Sequence, residues 1–172
     1  MHTAFLIIAA MFLALGFFAF LLIRSARSGF DILVAANVGA GTHTQLSRLS
    51  ESALTVRHLL VKQGTEDNEC DICGAEEKPL GPVPDIVETA DLGSDPKAVE
   101  LLGISPSTLL MVTGAAIDAD VDLYTAAAGK VQELPVAAGT YYKVGTSVSS
   151  SGGDGDLIEV AHHAPVAVTV TE

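Results

Sequence analysis

Tryptophan is absent from this sequence, and phenylalanine is absent from everything beyond Phe30. The six phenylalanines (Phe5, Phe12, Phe17, Phe18, Phe20, Phe30) crowd the first thirty residues, and only Tyr124, Tyr141 and Tyr142 follow. An aromatic ring buries about 150–250 Å², so the body has to build its core from Val, Leu, Ile and Ala. Such a domain gains stability by burying further surface in an oligomer or on a partner. Basic residues are scarce in the same region. Residues 1–30 carry Arg24 and Arg27 and no acid, whereas from Asp31 onward 21 acids stand against seven bases, a net charge of −14. Binding nucleic acid requires Lys and Arg to displace counterions from phosphates, and no Lys/Arg cluster is present, so nucleic acid is excluded as a partner. Catalytic signatures are missing too. No Gly-x-Ser-x-Gly elbow surrounds Ser149–Ser151, and Gly39-Ala40-Gly41 is too short for a phosphate loop. Nothing assembles a nucleophile, a base and an orienting acid, so the chain reads as a structural protein rather than an enzyme, without a cofactor.

What is present divides the chain by solvent. Ala4–Ile23 is a run of 20 residues with no polar or charged side chain. As a helix it spans about 30 Å, the thickness of a bilayer core. Residues 1–30 therefore read as a hydrophobic helix and a transmembrane candidate through residues 4–23. Arg24 and Arg27 just after it would keep the body in the cytoplasm. A secretory signal, an apolar helix buried in an assembly, and translation starting near Val34 are the competing readings.

Residues 31–55 are rich in Gly, Ser, Thr and Ala and read as an extended arm or linker, with a short helical turn around Gln45–Ser52. From Thr55 the pattern turns to β. Val56–Lys62, Glu69–Cys73, Ala98–Leu102 and Leu109–Thr113 are strand-length runs, the last with the continuous apolar character of a buried strand. Pro79, Pro82 and Pro84 confine the segment between to a loop or an edge strand, because proline cannot donate to a ladder. Asp118 to Tyr124 alternates with period two, which predicts a strand with Asp118, Asp120 and Asp122 on one solvated face. Lys130–Leu134, Tyr141–Val148, Leu157–His162 and Val166–Val170 complete the series, with Pro165 separating the last two. Short strands punctuated by glycine predict a mainly β fold, a small barrel or sandwich over residues 56–172. No internal repeat is seen.

The C-terminal progression carries a resemblance. Leu123-Tyr124-Thr125-Ala126-Ala127-Ala128-Gly129-Lys130-Val131 leads to Leu134-Pro135, then Ala138-Gly139-Thr140-Tyr141-Tyr142-Lys143-Val144-Gly145, then Asp154-Gly155-Asp156-Leu157-Ile158-Glu159-Val160. Upstream stand Thr44-Gln45, Arg57-His58-Leu59-Leu60-Val61-Lys62-Gln63-Gly64, Ile72-Cys73-Gly74 and Lys78-Pro79-Leu80-Gly81. Over about residues 36–170 the chain resembles the small β capsid decoration, or head-stabilising, proteins of tailed phages. The resemblance implies a virion structural protein on the capsid exterior, a homotrimer clamping neighbouring subunits of the major capsid protein. The hydrophobic N-terminus departs from that family, whose members are soluble. A single-pass membrane protein presenting a β domain for protein–protein contact is the second reading.

The third reading rests on Cys70-Asp71-Ile72-Cys73-Gly74, which resembles one knuckle of a zinc ribbon or a redox pair. A structural zinc takes four ligands, no second C-x-x-C exists, and His58, His162 and His163 are the candidates to supply two more beside Cys70 and Cys73. Ordinary part-buried thiols are the bland alternative. Asp118, Asp120 and Asp122 imitate the start of a calcium loop, but Leu123 stands where Gly is required and Gly129 where Glu is required. Adjacent His162 and His163 on a strand point to opposite faces and cannot serve one site.

Overall fold

A computed structural model describes residues 44–171. Ten strands follow one another: β1 (Gln45–Ser50), β2 (Leu59–Gln63), β3 (Glu69–Ile72), β4 (Pro79–Val83), β5 (Lys97–Glu100), β6 (Leu109–Val112), β7 (Asp122–Thr125), β8 (Val131–Gln132), β9 (Gly139–Ser147) and β10 (Leu157–Val170). Two single-turn 3-10 segments, Thr89–Asp91 and Ala127–Gly129, are the helical elements among the described residues. The fold is mainly β. The expected helix over residues 1–30 lies outside the described residues. Among those described, no helix is long and apolar enough to cross a membrane.

The chain builds its two sheets in turn. The first has strand order β4-β2-β3-β1-β5 and the second β6-β10-β9-β7-β8. Every neighbouring pair is antiparallel except β1 with β3. The second sheet is nearly closed in the manner of a barrel. A parallel bridge joins Thr113, just after β6, to Val131 of β8, and Gly114 N–H donates to Val131 O at 2.8 Å. The first sheet also curls, and Leu102 N–H, just beyond β5, reaches Leu80 O of β4 at 3.0 Å.

Period-two alternation sorts the core into two clusters. On β2, Leu59 and Val61 point into one with Cys70, Val83, Val87 and Val99, while Leu60 between them points into the other. On β6, Met111 joins Leu123, Val144, Ile158 and Val160, while Val112 joins the first sheet's cluster. Each sheet therefore lends a residue to the other's core.

Three local expectations are corrected. Gln45–Ser50, in the predicted arm, forms β1 between β3 and β5 rather than a helical turn. Asp118 and Asp120 lie in a turn before β7, not on one strand face; Asp120 takes φ +64°, a conformation that aspartate tolerates better than most residues. Pro165 does not end a strand. It sits within β10, where the pairing with β9 shifts register between His162 and Val166, and where β6 has already ended after pairing with residues 157–160. A bulge beside a free edge is where a sheet accepts proline. Pro79 and Pro82 do occupy an edge strand, β4.

Candidate functional site

The junction between the sheets gathers residues far apart in sequence. Gly129 N–H donates to Cys73 O at 2.8 Å, and the buried Thr125 hydroxyl donates to Ala75 O. Thr125 Oγ1 also accepts Tyr142 N–H at 3.1 Å, so one hydroxyl ties the first sheet's turn to β9. Gly129 takes φ +72°, and a Cβ there would stand 2.7 Å from Leu60 O. Glycine is required on both counts. The turn after Cys73 is closed from within. Glu77 accepts Gly74 N–H at 2.7 Å and Lys62 Nζ at 2.6 Å, and the Lys62 ammonium holds its carboxyl below the usual range.

This packing separates the two cysteines. Cys70 belongs to the first sheet's cluster and Cys73 to the inter-sheet one. Three residues apart across a strand, the thiols face different cores. Burial pushes Cys70 up to about 11 and Cys73 up to about 12. The Cys73 thiol donates to Gly74 O and Glu77 O, at 3.4 and 3.3 Å. His58 lies in the turn before β2 at φ +64°, His162 Nδ1 accepts Gly103 N–H, and His163 Nδ1 lies beside Ala164 O. These side chains make separate contacts rather than one ligand set. Among the described residues no three His, Cys, Asp or Glu converge as metal ligands would. A thiol reagent at about pH 8 meets roughly one thiolate per thousand Cys70 side chains, and fewer at Cys73. Ellman's reagent is therefore expected to modify neither cysteine of the native chain within minutes and both after denaturation. Rapid native labelling would mean that the thiols are reachable and activated.

The aspartates are likewise dispersed. Asp122 on β7 pairs with Lys143 at 2.6 Å, which lowers its pKa, while Asp118 and Asp120 stay exposed in the turn. Lys62, Lys97 and Lys130 are also held by carboxylates, so the domain's few cations are largely neutralised from within. A shallow groove beside Ile86 has Glu88 as its one ionisable lining residue, too little for chemistry.

What the surface does offer is an aliphatic patch. Leu110 of β6 lies opposite Glu159 of β10, and Val148 N–H donates to Glu159 O from the other side. Leu157, two residues from Glu159, shares its face. Leu110, Val148 and Leu157 are 40–50% exposed, whereas Val112, opposite Leu157, is covered by the first sheet's cluster. The patch therefore borders the inter-sheet junction. A second apolar projection is the β8–β9 loop, where Val136 is 98% exposed. Neither was expected from the sequence: the Leu109–Thr113 run is continuously apolar and reads as buried throughout. No family model matches the chain, and no curated protein matches it.

Proposed function

We propose that this protein is a virion structural protein that decorates a phage-type capsid and stabilises it by binding across subunits of the major capsid protein. One observation carries the reading. Three separate stretches of the family resemblance, Leu59-Leu60, Cys73-Gly74 and Thr125–Gly129, meet at one junction, where Gly129 packs on Leu60 O and bonds Cys73 O. Two further motif stretches, Gly139–Gly145 and Leu157–Val160, lie in β9 and β10 of the nearly closed second sheet. That these stretches pack together is what supports the reading. The finer description is a small barrel-and-sandwich domain working as a homotrimer on the capsid exterior. Its exposed aliphatics supply contact surface, and many copies hold the shell by avidity. Its acidic exterior keeps a densely coated particle soluble.

Light scattering of the full-length chain is expected to give a trimer, and the chain to co-sediment with shells of the major capsid protein from the same genome. Replacing Leu110 and Leu157 together by lysine should weaken that co-sedimentation by about tenfold or more, with melting unchanged, because both side chains are half exposed. A strictly monomeric chain that leaves shells bare would sink the proposal.

A further inference from the structure

Among the described residues the chain passes from the first sheet to the second once, through residues 101–108 between β5 and β6. Three consecutive amides at its start are tied down. Leu101 N–H donates to Thr44 O at 2.8 Å and Leu102 N–H to Leu80 O at 3.0 Å, both on the first sheet's side. Gly103 N–H instead donates at 2.8 Å to Nδ1 of His162, on β10 of the second sheet. The other ring nitrogen, Nε2, lies 3.1 Å from Ser107 O. Since Nδ1 accepts, the neutral ring carries its proton on Nε2, which donates to the Ser107 carbonyl. One imidazole thus clasps both ends of the crossover loop. The fit is close: Gly103 takes φ +78°, and a Cβ there would stand 2.4 Å from Ala164 N.

We propose that His162 is a pH-sensitive latch on this crossover, closed while its ring is neutral and opened when Nδ1 gains a proton. A protonated Nδ1 would point its N–H at the Gly103 N–H, donor against donor, and that bond would be lost. Other charged groups face the ring. Glu100 at the end of β5 favours the cation, and adjacent His163 opposes it. Glu159, on the same strand, is engaged by the Thr108 hydroxyl. Burial outweighs these and holds the His162 ring below its ordinary value of 6.5. The fold therefore favours the neutral ring. The latch's contribution is complete above that value and is lost as pH falls below it. Opening leaves the Leu101 and Leu102 bonds and the Nε2–H donation to Ser107 O in place and frees the Gly103 amide, next to the exposed Ile104.

The test is amide hydrogen exchange on the full-length chain, corrected for intrinsic rates, at about pH 7.5 and about pH 5. Protection of the Gly103 amide is expected to fall about tenfold at the lower pH, while β9 amides keep theirs. His162→Asn places a non-titrating acceptor near the Nδ1 position and should flatten the difference, whereas His163→Gln should keep it. Nitrogen-15 shifts of the His162 ring at the higher pH should show Nε2 protonated and Nδ1 bare. The opposite tautomer, or equal protection at both pH values, would overturn the latch whatever the variants do.

Discussion

Replacing Gly81 by alanine is expected to destabilise the protein by about 3 kcal/mol or more, lowering the melting temperature by on the order of 10 °C. Gly81 sits on β4 where the first sheet's edges approach. A Cβ there would stand 1.7 Å from Glu100 O and 2.8 Å from its carbonyl carbon. Both are backbone atoms of β5, so no side-chain rotamer relieves the clash. The edges would have to part, breaking the neighbouring Leu102–Leu80 bond and uncovering Val83 and Val99, both fully buried. Gly153→Ala is the control: nothing stands within 4 Å of its added Cβ, and its melting point should move by no more than about 2 °C. Thermal unfolding followed by circular dichroism separates the two. A Gly81→Ala protein melting with the control would show that β4 and β5 do not touch.

The features that could be read in advance share a cause. Glu69–Ile72 alternates with the sheet's own period, Leu59–Gln63 and Leu109–Val112 hold short apolar runs of strand length, and local pattern suffices to see all three. Pro79 and Pro82 mark an edge because a missing N–H means the same thing in any sheet. What stayed hidden depends on neighbours distant in sequence. Gln45–Ser50 is Ser-rich and weakly patterned, and becomes a strand because β3 and β5 offer it ladders on both sides. Asp118 to Tyr124 alternates as a strand should, yet its first half turns at Asp120, where Ser147 O accepts Asp120 N–H. Pro165 looks like a terminator because sequence cannot reveal that β6 ends at its pairing with residue 160. The Cys70–Cys73 spacing imitates a ligand pair because it says nothing of which core each thiol enters.

The second large effect is expected from Leu60→Ala, at about 3 kcal/mol, within the 2–5 kcal/mol range of large-to-small core changes. Leu60 is fully buried on β2, yet its side chain joins Met111, Leu123, Val144 and Ile158 rather than its own sheet's cluster. Its carbonyl lies under Gly129, and Cys73 N–H donates to that carbonyl at 3.0 Å. A cavity there weakens the contact between sheets instead of the interior of either. Val61→Ala, one residue on, removes apolar volume from the first sheet's cluster alone and should cost less, about 1–2 kcal/mol. The pair tests how the domain unfolds. If the sheets fold as one unit, urea melts of both variants remain single transitions, with the same slope as the parent and shifted midpoints. If instead Leu60→Ala splits the melt into two steps while Val61→Ala does not, the sheets are separately stable, and the junction around Gly129 is a docking contact between them. Native-state hydrogen exchange distinguishes these outcomes residue by residue, because β9 amides in the second sheet would then outlast β2 amides in the first.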